Sequence, residues 1–139
     1  MSGMTPHIPQ HEVVAALIIQ SQKILLGLRA ANRAFYPDVW DLFGGHVESG
    51  EQRDEALVRE LKEELDITPT AWKYLETLHV ASASLTVHLY LVTAWAGTPV
   101  NRQPDEHSAI GWFSLAEATQ LKLADELYPT LFARFLTLE

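Results

Sequence analysis

The 139-residue chain contains no cysteine, which removes disulfides, thiolate metal sites and cysteine nucleophiles together and fits a reducing cytoplasm. It has no apolar run approaching a membrane span, and residues 1–10 lack the basic stretch and apolar core of an export signal. The expectation is a cytoplasmic protein with no membrane partner. Positive charge is also scarce, with ten Lys and Arg against eighteen Asp and Glu and a net charge of −8. Duplex binding needs clustered cations to release counterions, so long nucleic acid is not expected as a partner. What remains is a chain 47% apolar and the size of one domain, able to bury a core without staples. Residues 1–10 read as a loose leader and 11–139 as a single domain.

The acids are not evenly spread. Residues 48–66 hold eight acids against three bases, and so carry five of the eight net negative charges. Gly44, Gly45 and Gly50 punctuate a turn, and Ser49 with Gln52 has the spacing of a capping box. A helix is expected from about Glu51 to Leu65. At 100° per residue, Leu57, Val58, Leu61 and Leu65 share one side of it, and Glu60, Glu63 and Glu64 share another. Carboxylates at i, i+3 and i+4 repel one another unless something cationic sits between them. On a helix taken alone, a solvated charged face would explain three glutamates as well. Here Arg59 stands among the acids, Glu51 lies two turns upstream where it can pair with Arg59, and two glycines let backbone approach a ligand. An all-oxygen donor set suits a hard ion, Mg²⁺ or Mn²⁺, rather than Zn²⁺.

Around this stretch the pattern is mostly β. His11–Gln20 and Lys23–Arg29 read as a hairpin turned at Ser21-Gln22, residues 39–43 as a short strand with Trp40 in the core, and 71–80 and 85–95 as further strands, the latter central. Residues 97–108 read as a loop, 110–113 as a short strand, and Ser114 with Glu117 as the cap of a helix reaching about Leu121. Leu131, Phe132, Phe135 and Leu136 have helical spacing at the end of the chain. His79 and His88 are expected to be structural, and His7 and His11 surface residues. Arg29 ends a strand and opens a loop rich in aromatics, where it is a candidate for phosphate oxygens and Phe35 or Tyr36 for a base pocket; a surface cation and packed aromatics is the plainer alternative.

Gly45, five residues, Glu51, seven residues, Arg59-Glu60-Leu61-Lys62-Glu63-Glu64-Leu65, one residue and Ile67 resemble the signature box of Nudix hydrolases at every defining position except Asp66, which stands where relatives have glycine. Asp is among the few other residues that tolerate the left-handed conformation closing such a helix, at about 1 kcal/mol. Phe43 stands where relatives commonly carry proline. The resemblance implies an α/β fold of the Nudix type, an α/β/α sandwich with a mixed sheet. It implies metal held by Glu60, Glu63, Glu64 and the Gly44 carbonyl, with Glu63 as ligand or proton acceptor and Arg59 orienting the set through Glu51. In relatives a glutamate before the Trp-Phe strand joins the metal site or handles the water; Glu106 is the candidate here, with Asp105 and His107 as substitutes. A polar side chain late in the chain reads the base, which points to Asp125 or Glu126.

The implied reaction is metal-dependent hydrolysis of a nucleoside diphosphate linked to another moiety. Residues 36–45 look most like the MutT type, which acts on nucleoside triphosphates including oxidised purine forms, to give the monophosphate and pyrophosphate. Leu25–Ala30 partly resembles the upstream motif of coenzyme A pyrophosphatases, and dinucleoside polyphosphate and ADP-ribose cleavage are also alternatives, although residues 80–96 lack the proline of ADP-ribose enzymes. A nucleotide sensor that does not cut is a reading from another class, and so is an interaction domain with an acidic surface helix. A homodimer is left open.

Overall fold

The computed structural model describes residues 11–80 and 84–137. The leader expected over residues 1–10, with Met4 and His7, lies outside the described residues. Two apolar runs start the fold as expected: β1 (His11–Gln20) and β2 (Lys23–Arg29) pair antiparallel at their turn, Gln20 against Lys23. The expected strand over 39–43 is two pieces that pair with different strands. β3 (Trp40–Asp41) pairs with β2, and β4 (Phe43–His46) with β1. Then follow α1 (Arg53–Leu65), β5 (Thr68–Val80), β6 (Leu85–Ala96), β7 (His107–Phe113), α2 (Leu115–Ala118) and α3 (Tyr128–Ala133).

The seven strands run in the order β3-β2-β1-β6-β5, with β4 also on β1 and β7 also on β2. Only β1 and β6 are parallel, so the sheet is mixed. β6 lies between β1 and β5, the central place its β-branched pattern implies. Two apolar clusters fill the two faces. On one, Val14, Ala16, Ile18, Phe43, Tyr90 and Val92 meet Leu57, Leu61 and Leu65 of α1. On the other, Leu17, Leu26 and Leu89 meet Leu115 of α2 and Leu131 and Phe132 of α3, with Trp40 partly buried against them. This is the expected α/β/α sandwich.

Boundaries moved where side-chain caps compete. The α1 N-cap is Gln52, not Ser49: Gln52 N–H donates to Glu55 at 2.8 Å in a capping box three residues later than expected. Glu48 N–H is instead taken by Glu51 at 3.0 Å, which leaves Glu51 outside the helix. At the other end Asp66 adopts φ 58°, ψ 36°, the left-handed closure expected where relatives have glycine. β5 begins at Thr68, because residues 68–69 pair with Ala96 and Trp95, and β7 begins at His107 inside the expected loop. α2 is a single turn rather than a helix to Leu121. Among the described residues, no helix is long and apolar enough to cross a membrane.

Candidate active site

β1 and α1 place the Gly-Gly turn against the acidic face of the helix. A Cβ on Gly44 would collide with the Val14 carbonyl of β1, and one on Gly45 would lie 2.5 Å from the Glu60 carboxylate. Two consecutive residues without side chains are therefore what lets β4 lie between strand and helix. Gly44 N–H donates to Glu64 Oε2 at 3.1 Å, which ties turn and helix together at the acids.

Arg59 organises the exposed side of the cluster. Its Nε and Nη2 donate to the two carboxylate oxygens of Glu51 at 2.8 and 2.9 Å, Nη2 also to the His46 carbonyl at 2.9 Å, and Nη1 to Glu60 at 2.9 Å and Glu63 at 3.3 Å. The fork of the guanidinium fits this geometry in a way an ammonium would not. Its hydrogen bonds hold the Glu51 carboxyl down at about 2, and those same bonds push the Arg59 pKa up. The expected Arg59–Glu51 pair is therefore present, with Glu60 and Glu63 added to it.

The three helix glutamates stand in different surroundings. Glu63 is half exposed and reaches Arg59. Glu60 is sheltered, and burial raises its pKa despite the Arg59 contact, with Glu63 and Glu106 adding repulsion. Glu64 is only 6% exposed, and burial first, then Glu60, pushes its carboxyl up to about 9, with Glu106 and Asp41 contributing. Glu106, in the loop between β6 and β7, thus joins the same electrostatic cluster as Glu60 and Glu64.

Among the described residues, no three acidic or histidine side chains stand together as a finished metal cage. The donor chemistry nevertheless fits a hard cation. Carboxylates from Glu60 and Glu64 share one sheltered place, with no counter-ion for Glu64 among the described residues, and the bare Gly44–Gly45 backbone lies beside them.

Arg29 donates through Nε to the Tyr36 carbonyl at 3.0 Å and through Nη2 to the Phe35 carbonyl at 2.9 Å, and stands 3.8 Å from Asp41, so it shapes the loop whose rings of Phe35 and Tyr36 are 75% and 58% exposed. Asp125 is half-buried and accepts from Leu127 N–H at 2.8 Å. With Leu127, Tyr128, Leu131, Arg134, Glu76 and Leu78 it borders a hollow of about 160 Å³ between β5 and α3. A larger open hollow, about 550 Å³, lies between the outer side of α1 and Trp72 of β5, and none of Glu60, Glu63 or Glu64 borders it. His88 is structural as expected: it is buried and bonds Glu12 at 2.7 Å and Thr77 at 2.8 Å.

Asp41 was not singled out by the sequence. It accepts from the Tyr128 hydroxyl at 2.6 Å and from Leu42 N–H at 2.8 Å, while burial raises its pKa. The signal available was a carboxylate set inside the apolar run Val39-Trp40-Asp41-Leu42-Phe43.

Comparison with known proteins bears on the family and the fold. A model of the NUDIX domain matches residues 9–135. The CTP pyrophosphohydrolase of Escherichia coli (strain K12) is 40% identical over 124 residues, covering 88% of this chain and 89% of that protein. The crystal structure of a MutT NUDIX hydrolase from Burkholderia pseudomallei superposes with TM-score 0.73 at 32% identity, over 79% of this chain and 87% of that one. A structure from work on the MutT proteins of Aliivibrio salmonicida and Vibrio cholerae gives TM-score 0.78 at 30% identity, over 91% and 100%. The chain belongs to the NUDIX family, as a MutT-like hydrolase acting on phosphoric anhydrides.

Proposed function

We propose that the protein hydrolyses a nucleoside triphosphate to the monophosphate and pyrophosphate with the help of Mg²⁺, for which Mn²⁺ substitutes. The observation that carries this reading is Glu64, a buried carboxylate crowded by Glu60 and Glu106 and bonded to the backbone of Gly44. A carboxylate so placed suits a hard cation, whose charge would offset its burial and repulsion. Glu60 and Glu64 would be the principal ligands, with the Gly44 carbonyl and Glu63 completing the set. A bound divalent ion neutralises the charge of the anhydride oxygens and lowers the pKa of water.

The chain's own residues do the rest. Arg59, fixed by both oxygens of Glu51, holds Glu60 and Glu63 in register along the helix. Water oxygen forms a bond to the α- or β-phosphorus, the P–O bond of the oxygen bridging those two breaks, and the leaving pyrophosphate or nucleoside monophosphate keeps the electron pair. Glu106, beside the cluster and not engaged by Arg59, takes the proton of the water. Glu63 is the less suited acceptor because it bonds Arg59 and faces solvent.

For the substrate, the similarity to a CTP pyrophosphohydrolase over nearly the whole chain favours a nucleoside triphosphate, and 78 residues are also 41% identical to a nucleoside triphosphatase of Salmonella arizonae, about half of that protein. The hollow between β5 and α3 is on the scale of one base, with the Asp125 carboxylate at its border to accept from an amine or ring N–H. Arg29, Phe35 and Tyr36 would face the phosphates and sugar.

The test is a panel with Mg²⁺: CTP and dCTP, GTP and an oxidised guanine triphosphate, a dinucleoside polyphosphate, ADP-ribose and coenzyme A. Pyrophosphate release from a triphosphate is expected, lost by at least ~10²-fold in Glu64→Gln. Tight nucleotide binding with no product would instead identify a sensor, and turnover unchanged in Glu64→Gln would remove that residue from the metal site.

A further inference from the structure

The loop between β6 and β7 is built as a strap between the C-terminal end of α1 and the end of β2. Gly97 starts it at φ +96°, and a Cβ there would lie 2.9 Å from the Asp66 carbonyl, so glycine lets the strap leave β6 hard against the helix terminus. Val100 N–H then donates to the Leu65 carbonyl at 3.0 Å and Arg102 N–H to the Glu64 carbonyl at 2.9 Å, satisfying helix carbonyls that have no partner within the helix. At its far end, Ala30 N–H donates to the Glu106 carbonyl at 2.9 Å.

One side chain closes the strap on itself. Asn101 Nδ2 donates to the His107 carbonyl at 2.8 Å, and its Oδ1 accepts from Gln103 N–H at 3.2 Å. The Gln103 carbonyl in turn receives the N–H groups of both Glu106 and His107 at 2.9 Å. Asn101 thus holds the turn on both sides of Glu106, while the two backbone residues next to it are bonded to the helix segment that bears Glu64. Residue 101 is half-buried, its amide bonds only main-chain groups among the described residues, and it does not border the proposed substrate hollow.

We propose that Asn101 is a positioning residue for the reaction: it sets the Glu106 carboxylate against the Glu60–Glu64 cluster by fixing the turn that carries it. This rests on the role given above to Glu106. Asn101 acts through backbone hydrogen bonds, so its removal should leave nucleotide affinity alone and slow the chemical step.

The experiment is a double-mutant cycle on the full chain, with Asn101→Ala, Glu106→Gln and the pair, assayed for kcat and KM on the best triphosphate of the panel. Asn101→Ala is expected to lower kcat ~10-fold or more with KM within about threefold, and to add nothing in the Glu106→Gln background, because the two act as a unit. Asn101→Asp keeps the acceptor for Gln103 and loses the donor to His107; it is expected to show the same kcat loss and serves where the alanine variant folds poorly, as judged by circular dichroism at the assay temperature. A kcat loss that multiplies with that of Glu106→Gln, a loss confined to KM, or wild-type turnover in both Asn101 variants would overturn the proposal while leaving Glu106 in place. Wild-type turnover in Glu106→Gln would overturn the role of Glu106 and the proposal with it.

Discussion

Glu64 answers to two opposed demands, and the opposition is measurable. As a fold element it is a liability: a carboxylate 6% exposed, with Glu60, Glu106 and Asp41 adding repulsion and one backbone donor, Gly44 N–H, in compensation. As a site element it is the deepest carboxylate of the cluster. Glutamine in its place keeps an acceptor for Gly44 N–H and is neutral without having to take up a proton. In EDTA at pH 7, Glu64→Gln should therefore be more stable than the parent, on the order of 1–3 kcal/mol by urea unfolding, while losing turnover. A variant less stable than the parent in EDTA would mean the carboxylate is held by contacts other than those described. Much of this was legible residue by residue, because a glutamate pattern at i, i+3 and i+4 beside an arginine and two glycines has few structural explanations. Asp41 was not, because its partners Arg29 and Tyr128 stand 12 and 87 positions away and meet it only in the folded sheet.

At the scale of the element, α1 was legible in its body and not at its start. The apolar stripe of Leu57, Leu61 and Leu65 fixed which face packs, but the capping spacing of Ser49 with Gln52 gave way to a box of Gln52 with Glu55, and the difference turns on Glu51. Bonded to Arg59 and to Glu48 N–H, Glu51 is drawn out of the first turn, and the helix begins at Arg53. The C-terminal end makes a sharper case. Asp66 holds φ 58° and is steadied by Lys62 at 2.8 Å and Arg102 at 3.4 Å, and its pKa is lowered mainly by Lys62. The pairs are exposed and contribute little; the conformation is the larger effect. Asp66→Gly should be neutral to slightly stabilising, and Asp66→Ala should cost about 1 kcal/mol, read as a shift in the urea midpoint at constant slope. Equal stability of the alanine and glycine variants would show that the left-handed turn carries no strain here.

Across the whole molecule, the sequence pattern named the strands but could not assign their neighbours. Residues 39–43 alternate as one strand, yet β3 joins β2 and β4 joins β1, since β1 pairs with β4 through Val13–Ala16 and with β2 only at Ile19 and Gln20. The seam this leaves is where His107 sits. Its ring packs on Phe43 at 5.0 Å centroid distance, in space opened by Gly27, and is 5% exposed with Nδ1 lacking a partner among the described residues. Burial, with Arg33 and Arg29 adding repulsion, holds its pKa near 4 against 6.5 for the free side chain. The unfolded chain therefore binds this proton more readily than the folded one. Above pH 6.5 neither state holds it and stability owes nothing to pH through this group; as pH falls from 6.5 towards 4, the unfolded state gains, and stability declines by up to about 3 kcal/mol. His107→Leu removes the titration and the unpartnered nitrogen together. Urea unfolding in EDTA between pH 7 and 4.5 should show a shallower loss of stability in the variant than in the parent, and parallel curves would show that the ring already takes up its proton in the fold.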